Sequence, residues 1–313
     1  MSNYFARNVC NVCGKHSYKI LFSSTFDSEI MRRYIEIAYH GAADLESLNA
    51  MPFEVVKCLE CGFIWTKYIL NDNFITKLYS SWILQDKKIE WHNSEGLDKY
   101  LVQLRILLAC NNYLNKNPHE IKLLDVGFGW GHLLFLAKGL GNNVWGNELP
   151  GTPEIEVGKS NGIKCIDLND LNGNLHFDII CCEQVLEHVP DPKGLLNTLV
   201  DLLCEDGLIH IGVPSCSFPF SVERNLCKAS SITSLHDHDI KEFQRLLMLA
   251  GNLGHINGFN RKCLMTLAAK CGLNNQPMFI NEMKATVLSL DFKYLLRPLY
   301  NHVFGTEMYF RKI

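Results

Sequence analysis

The chain has 313 residues, enough for one to two domains with a sizeable core. Hydrophobic residues make up 47% and charged residues 20%, a balance that excludes a disordered chain. The formal net charge is -3 with both signs interspersed, so the basic footprint of a polyanion binder is missing and nucleic acid is not an expected partner.

Residues Met1 to Cys10 lack the apolar stretch of a signal peptide, and no run of 18 apolar residues follows, so the expectation is a cytoplasmic chain without a membrane partner. Of thirteen cysteines, nine stand singly or inside apolar runs such as Ile179-Ile180-Cys181-Cys182, as reduced core residues do. The other four form two knuckles, Cys10-Asn11-Val12-Cys13-Gly14 and Cys58-Leu59-Glu60-Cys61-Gly62. Cys10, Cys13, Cys58 and Cys61 suit one tetrahedral structural zinc ion, a closed site with no coordination position left for catalysis. The 44 residues between the knuckles exceed zinc-ribbon spacing, so Lys15 to Lys57 must form a loop or subdomain of its own. A buried-thiol or thiol-exchange role is the alternative; no thioredoxin-like strand and helix pattern surrounds either pair, and the glycine after each fits a knuckle turn.

From about 71 to 117 the pattern is helical, with Leu97, Leu101, Leu104, Leu107 and Leu108 at helical spacing until Asn117-Pro118 breaks it. From Ile121 onward strand-like and helical runs alternate. This predicts an α/β, Rossmann-like doubly wound, mainly parallel sheet covered on both faces, with right-handed crossovers. The expected strands are Lys122 to Val126, Asn143 to Gly146, Lys164 to Ile166, Phe177 to Cys182 and Leu208 to Val213; the crossover helices are His132 to Lys138, Glu154 to Ser160 and Lys193 to Leu203. Ser215 to about Asn252, with His236-Asp237-His238-Asp239, is placed to form a lid. A helix at Lys262 to Lys270 and an edge strand at Thr306 to Arg311 complete the chain. The expected division is a zinc-binding region at 1-70, a helical connector at 71-117 and a ligand-binding domain at 118-313, with the lid at about 215-252.

The strongest motif is Asp125-Val126-Gly127-Phe128-Gly129-Trp130-Gly131-His132, where a strand hands over to a helix. Glycines there let the backbone turn tightly and approach a ligand. Glu148 lies 17 residues after Gly131 at the end of the second strand, where a carboxylate can accept both hydroxyls of a ribose. A dinucleotide site needs a third glycine where His132 stands.

Gly-x-Gly-x-Gly preceded by Asp125 resembles instead the class I S-adenosylmethionine-dependent methyltransferases. Asp167-Leu168 matches the place where that family holds adenine. Phe177 to Ile180, followed by Glu183-Gln184-Val185-Leu186-Glu187-His188-Val189, looks like its fourth strand and loop. Leu202 to Ile209 resembles its Leu-Lys-Pro-Gly-Gly turn, with Asp206 where glycine is commoner. The resemblance implies S-adenosylmethionine held among Asp125, Gly127, Phe128, Gly129, Gly131, Glu148, Asp167, Leu168 and Glu183.

Two knuckles ahead of such a domain resemble the bacterial deoxysugar C-methyltransferases and their relatives in surface-polysaccharide gene sets. Tyr79 stands at that family's substrate tyrosine and His255 at its histidine, while Gly254 replaces its glutamate and Gly258 its tyrosine. The lost glutamate opens O- or N-methylation beside C-methylation. The resemblance implies a small-molecule acceptor, a sugar nucleotide or polysaccharide precursor. The candidate bases are His255 and His188, and Tyr79, His236 and His238 are candidate substrate contacts. The rival readings are a catalytically silent binding module and a methyltransferase for a protein or another metabolite.

Overall fold

The computed structural model describes residues 3–94, 96–170, 175–216, 223, 224, 226, 236–286 and 292–313. From the start the chain runs β1 (Tyr4–Ala6), β2 (Tyr18–Thr25), α1 (Glu29–Ala38), α2 (Leu45–Leu48), β3 (Pro52–Cys58), β4 (Ile64–Thr66), β5 (Tyr68–Leu70), α3 (Asp72–Lys77), a π-turn at Leu78–Trp82 and α4 (Gln85–Ser94). Then come α5 (Leu97–Leu114), β6 (Lys122–Val126), α6 (His132–Gly139), β7 (Asn143–Asn147), α7 (Pro153–Ser160), β8 (Lys164–Cys165), β9 (Phe177–Glu183), α8 (Pro192–Asp201) and β10 (Leu203–Gly212). The remainder holds α9 (Asp237–Ala250), β11 (Asn257–Gly258), α10 (Arg261–Lys270), β12 (Leu273–Gln276), α11 (Phe279–Thr286), α12 (Phe292–Val303) and β13 (Glu307–Lys312).

The chain packs as two compact units. The first comprises Met1–Ser94, Glu187–Pro190 and Pro214–Leu264; the second comprises Glu95–Leu186, Asp191–Val213 and Met265–Ile313. This division departs from boundaries at 70 and 117. The segment read as one connector is shared, with α3, the π-turn and α4 in the first unit and α5 in the second.

In the first unit an antiparallel sheet of order β11-β4-β3-β2 stands beside the β1-β5 pair. Residues 15 to 57 are not a body of their own but part of this unit, in which α1 places Met31, Tyr34 and Ile35 at helical spacing in a core shared with Leu70, Trp82 and Phe243. The core is aromatic: Phe22, Phe26 and Phe53 interlock, and Phe243 of α9 lies 5.2 Å from Phe22. Ile240, Phe243 and Leu247 are fully buried there. The described part of the expected lid is therefore a core helix, fixed by the cost of exposing that face; 217–222, 225 and 227–235 lie outside the described residues.

The second unit holds a sheet of order β12-β13-β10-β9-β6-β7-β8, parallel except for β13, which runs antiparallel to both β10 and β12. β6 and β9 are almost wholly buried, which is why their sequences read as continuous apolar runs rather than alternating ones. Strand order reverses between β6 and β9, so their carboxyl ends open a crevice for a ligand. The C-terminal strand is internal rather than at the edge. The edge is β12, whose Leu-Asn-Asn-Gln buries one residue and carries no strand signal. β10 starts at Leu203, with a register irregularity between Leu203 and Leu208 where the sequence reads as a turn.

The leucine spacing of α5 marks its buried face only in part: Leu97 is 71% exposed and Leu107 is buried, with Arg105, Ile106, Ala109 and Cys110 beside it. Arg105 tolerates burial because Nη1 meets Glu282 at 2.6 Å and Nη2 meets Glu307 at 3.0 Å. Among the described residues no helix is long and apolar enough to cross a membrane.

Candidate active site and metal centre

In the second unit the chain leaves β6 through Gly127, Gly129 and Gly131, at φ 69°, 53° and 82°. A Cβ at Gly127 would lie 2.5 Å from Val185 Cγ2, whereas one at Gly129 would meet nothing within 4 Å. Gly127 is thus needed for packing, and Gly129 turns bare backbone toward open space. The loop is tied to the end of β7: the Gly127 and Phe128 N–H groups donate to the Asn147 carbonyl at 2.8 and 3.2 Å, and Gly129 N–H donates to Glu148 Oε2 at 2.9 Å. Glu148 therefore braces the loop and keeps lone pairs for a further donor. The Phe128 ring is buried between β7 and α7, where a Cβ on Gly158 would meet its Cζ at 3.0 Å. Phe128 offers the crevice its backbone alone.

Asp125 is buried, and its carboxyl is pushed well above the usual range by burial and by Glu183 and Glu148. Carboxylates from the ends of β6, β7 and β9 thus gather around the glycine loop, a setting that favours a cation. Asp167 is exposed just past β8, and Leu168 opens a short turn at Leu168–Asp170. His132 is buried with its ring 4.8 Å from that of Tyr100.

Two residues here carried no sequence signal. Gln184 sits at φ 56°, a left-handed conformation rare outside glycine, and its N–H donates to Gly212 O at 2.8 Å. His210 of β10 is fully buried, with Nδ1 2.9 Å from Glu183 Oε1 and its ring 4.5 Å from that of Tyr309.

In the first unit the four knuckle cysteines converge, their sulfurs all within 4.8 Å of one another. Cys10 Sγ lies 3.6 Å from Cys61 Sγ, and Cys13 Sγ 3.4 Å from Cys58 Sγ. Gly14 and Gly62 take φ 76° and 80°, and their N–H groups donate to the Cys10 and Cys58 carbonyls at 2.8 and 3.2 Å. Such sulfur separations match a tetrahedron around one ion with metal–sulfur bonds of about 2.3 Å. The neighbouring Cys61 sulfur and burial push the Cys10 thiol upward, and burial pushes Cys13 to about 11, so four thiolates this close call for a shared cation.

The same unit assembles Tyr79, His188 and His255, which are far apart in sequence. Tyr79 lies in the π-turn, with its hydroxyl 3.0 Å from His188 Nδ1. That nitrogen is 3.2 Å from the Gly254 carbonyl, which can only accept, so Nδ1 carries the proton and Nε2 keeps the lone pair. The His188 and His255 rings meet edge to face at 4.4 Å, and donor atoms of Glu187, His188 and His255 lie within 4.8 Å of one another. Burial, assisted by His255, lowers His188 to about 3, so it is neutral at physiological pH. Asn252 Oδ1 accepts from the Gly254 and His255 N–H groups at 2.7 and 2.5 Å and shapes that loop. His236 and His238 do not join: His236 precedes the first turn of α9, and the His238 side chain is 87% exposed.

A family model described as "Methyltransferase domain" matches residues 99–277, more than half of the chain. Among curated proteins, the ubiquinone biosynthesis O-methyltransferase of Colwellia psychrerythraea is 27% identical over 218 residues, covering 66% of this chain and 85% of that protein. Its counterpart in Glaesserella parasuis is 34% identical over 137 residues, covering 39% and 57%. Among solved structures, the 1,6-didemethyltoxoflavin-N1-methyltransferase of Burkholderia thailandensis is 16% identical over 65% of this chain and 76% of that one, with a TM-score of 0.42. With its doubly wound sheet and glycine loop, the chain belongs to the methyltransferase-domain family and is a methyltransferase.

Proposed function

We propose that this enzyme uses S-adenosylmethionine to methylate a hydroxyl group of a small, sugar-linked acceptor. The observation that carries the cofactor is the gathering of Asp125, Glu148 and Glu183 around the bare backbone of Gly129. A ligand bearing a sulfonium and an ammonium would offset the burial and the neighbouring carboxylates that raise Asp125. When bound, S-adenosylmethionine supplies an electrophilic methyl group, so the protein's work is to orient the acceptor, exclude water and take up a proton. Asp167 and Leu168 are assigned to the adenine, and Glu148 to the ribose.

His255 is assigned as the base and His188 as the group that orients it and the acceptor. A base held at about 3 accepts a proton poorly, but a neutral imidazole accepts a hydrogen bond at Nε2 well. Tyr79 fixes the ring and is assigned to the acceptor. The sugar-linked class rests on the pairing of cysteine knuckles with a methyltransferase domain. Transfer to oxygen rather than carbon rests on Gly254 standing where the C-methylating family has its glutamate. The four cysteines are proposed to hold one structural zinc ion.

A phenolic hydroxyl is the second acceptor class, favoured by the two ubiquinone biosynthesis O-methyltransferases. Nucleotide-linked sugars and catechol-type phenols, each incubated with S-adenosylmethionine and followed by mass spectrometry, separate the two. A methyl gain on the sugar supports the first class, a gain on the phenol alone the second, and methylation of neither by zinc-loaded enzyme rejects both.

A further inference from the structure

We propose that the first cysteine knuckle positions His188, so that metal loading and the geometry of the histidine cluster are coupled through Asn11 and Arg7. The functional consequence rests on the role assigned to His188 above; the coupling itself does not.

His188 sits in the short segment Glu187–Pro190, which packs with the first unit although the chain on either side belongs to the second. Such a segment has no helix or strand to fix it, so its carbonyls need partners from elsewhere. They are held by two side chains and one backbone N–H. Asn11 Nδ2 donates to Pro190 O at 2.6 Å, and Asn257 Nδ2 donates to Val189 O at 2.7 Å. The Asn257 N–H donates to Glu187 O at 3.1 Å. Arg7 fixes the other side of the cluster: Nη1 donates to Asn257 Oδ1 at 2.7 Å and Nη2 to Ile256 O at 2.7 Å and Thr66 O at 2.8 Å.

Asn11 lies inside the Cys10-x-x-Cys13 turn, so a knuckle closed on a metal fixes the Asn11 side chain. The turn is shaped by Gly14 N–H on Cys10 O and by Cys13 N–H on Cys10 Sγ at 3.5 Å. Arg7 stands three residues before Cys10 and is buried, with its carbonyl held by Trp65 Nε1 at 3.1 Å. Four thiolates around a divalent ion carry a net charge of −2, so loading the site sets a counter-charge near the buried Arg7 guanidinium. One segment thus links the metal, Asn11 and Arg7 to the two loops that bear His188 and His255.

The test is Asn11→Asp in the full chain, which keeps the side-chain shape but replaces the amide donor with a carboxylate aimed at a carbonyl. Zinc content, S-adenosylmethionine binding, hydrogen exchange of the peptide spanning 184–192 and the NMR titration of His188 are read together. Among the described residues, Tyr79, Glu187 and His255 are titratable groups close to that ring. The expected result is unchanged zinc and cofactor binding, exchange faster by about tenfold or more, and a His188 titration moved up toward its ordinary value. Turnover falls about tenfold with KM for S-adenosylmethionine unchanged, as for loss of an outer-shell partner. Unchanged exchange and titration in zinc-loaded Asn11→Asp would overturn the coupling. Moved signals with undiminished turnover uphold the coupling and remove His188 from the chemistry instead.

Discussion

The cofactor crevice of the second unit and the histidine cluster of the first are built in opposite ways. The crevice takes its groups from the ends of adjacent parallel strands, so hydrogen-bond register alone sets Asp125 opposite Cys181 and Gly212 opposite Glu183. The cluster takes Tyr79, His188 and His255 from three distant segments joined by hydrogen bonds of the His188 side chain. The first arrangement should tolerate loss of single side chains, while the second should depend on a few buried polar ties and on the metal.

Chelation should sharpen this contrast most. A structural tetrathiolate zinc site contributes about 10 kcal/mol or more of folding free energy. Zinc removal should abolish the calorimetric transition of the first unit while a transition of the second survives, and two unshifted transitions would break the comparison. Next is Arg105→Leu, which leaves Glu282 buried without its cation while Glu307 keeps Arg297. It should cost the second unit about 3–5 kcal/mol by urea denaturation.

Gly129→Leu comes third. Its side chain would enter open space, so S-adenosylmethionine binding should weaken about 100-fold, with stability lowered by about 1–2 kcal/mol from the left-handed backbone. Gly127→Ala should do the reverse and harm stability first, because its Cβ meets Val185.

Asp125 gives a smaller, pH-dependent effect. Its folded pKa stands above the unfolded one, so its contribution to stability is full below the unfolded value near 4 and is lost as pH rises through the folded value. Melting temperature of the ligand-free protein should fall over that window, and Asp125→Asn should flatten the fall. The smallest expected effect is that of His238→Ala, whose exposed side chain should leave turnover within about twofold.

The crevice was legible in the sequence because apolar runs, glycines and strand ends are local features: β6, α6 and β9 lie within a residue of where periodicity puts them. β12 was not, since a polar edge strand has no pattern of its own. The socket that Gly146 and Gly158 leave for the Phe128 ring was not legible either, because it forms only when β7 and α7 pack together. The four cysteines were legible from spacing, and Tyr79 and His255 from resemblance. Arg7 and Asn11 were not, because their partners at 189–190 and 256–257 become neighbours only in the folded chain.

The most direct test of the central claim is calorimetric titration of the zinc-loaded protein with S-adenosylmethionine in two buffers of different ionisation enthalpy. The account predicts one site per chain, micromolar affinity, and loss of the heat in Gly129→Leu. Folded, zinc-loaded protein that gives no binding heat in either buffer would contradict it.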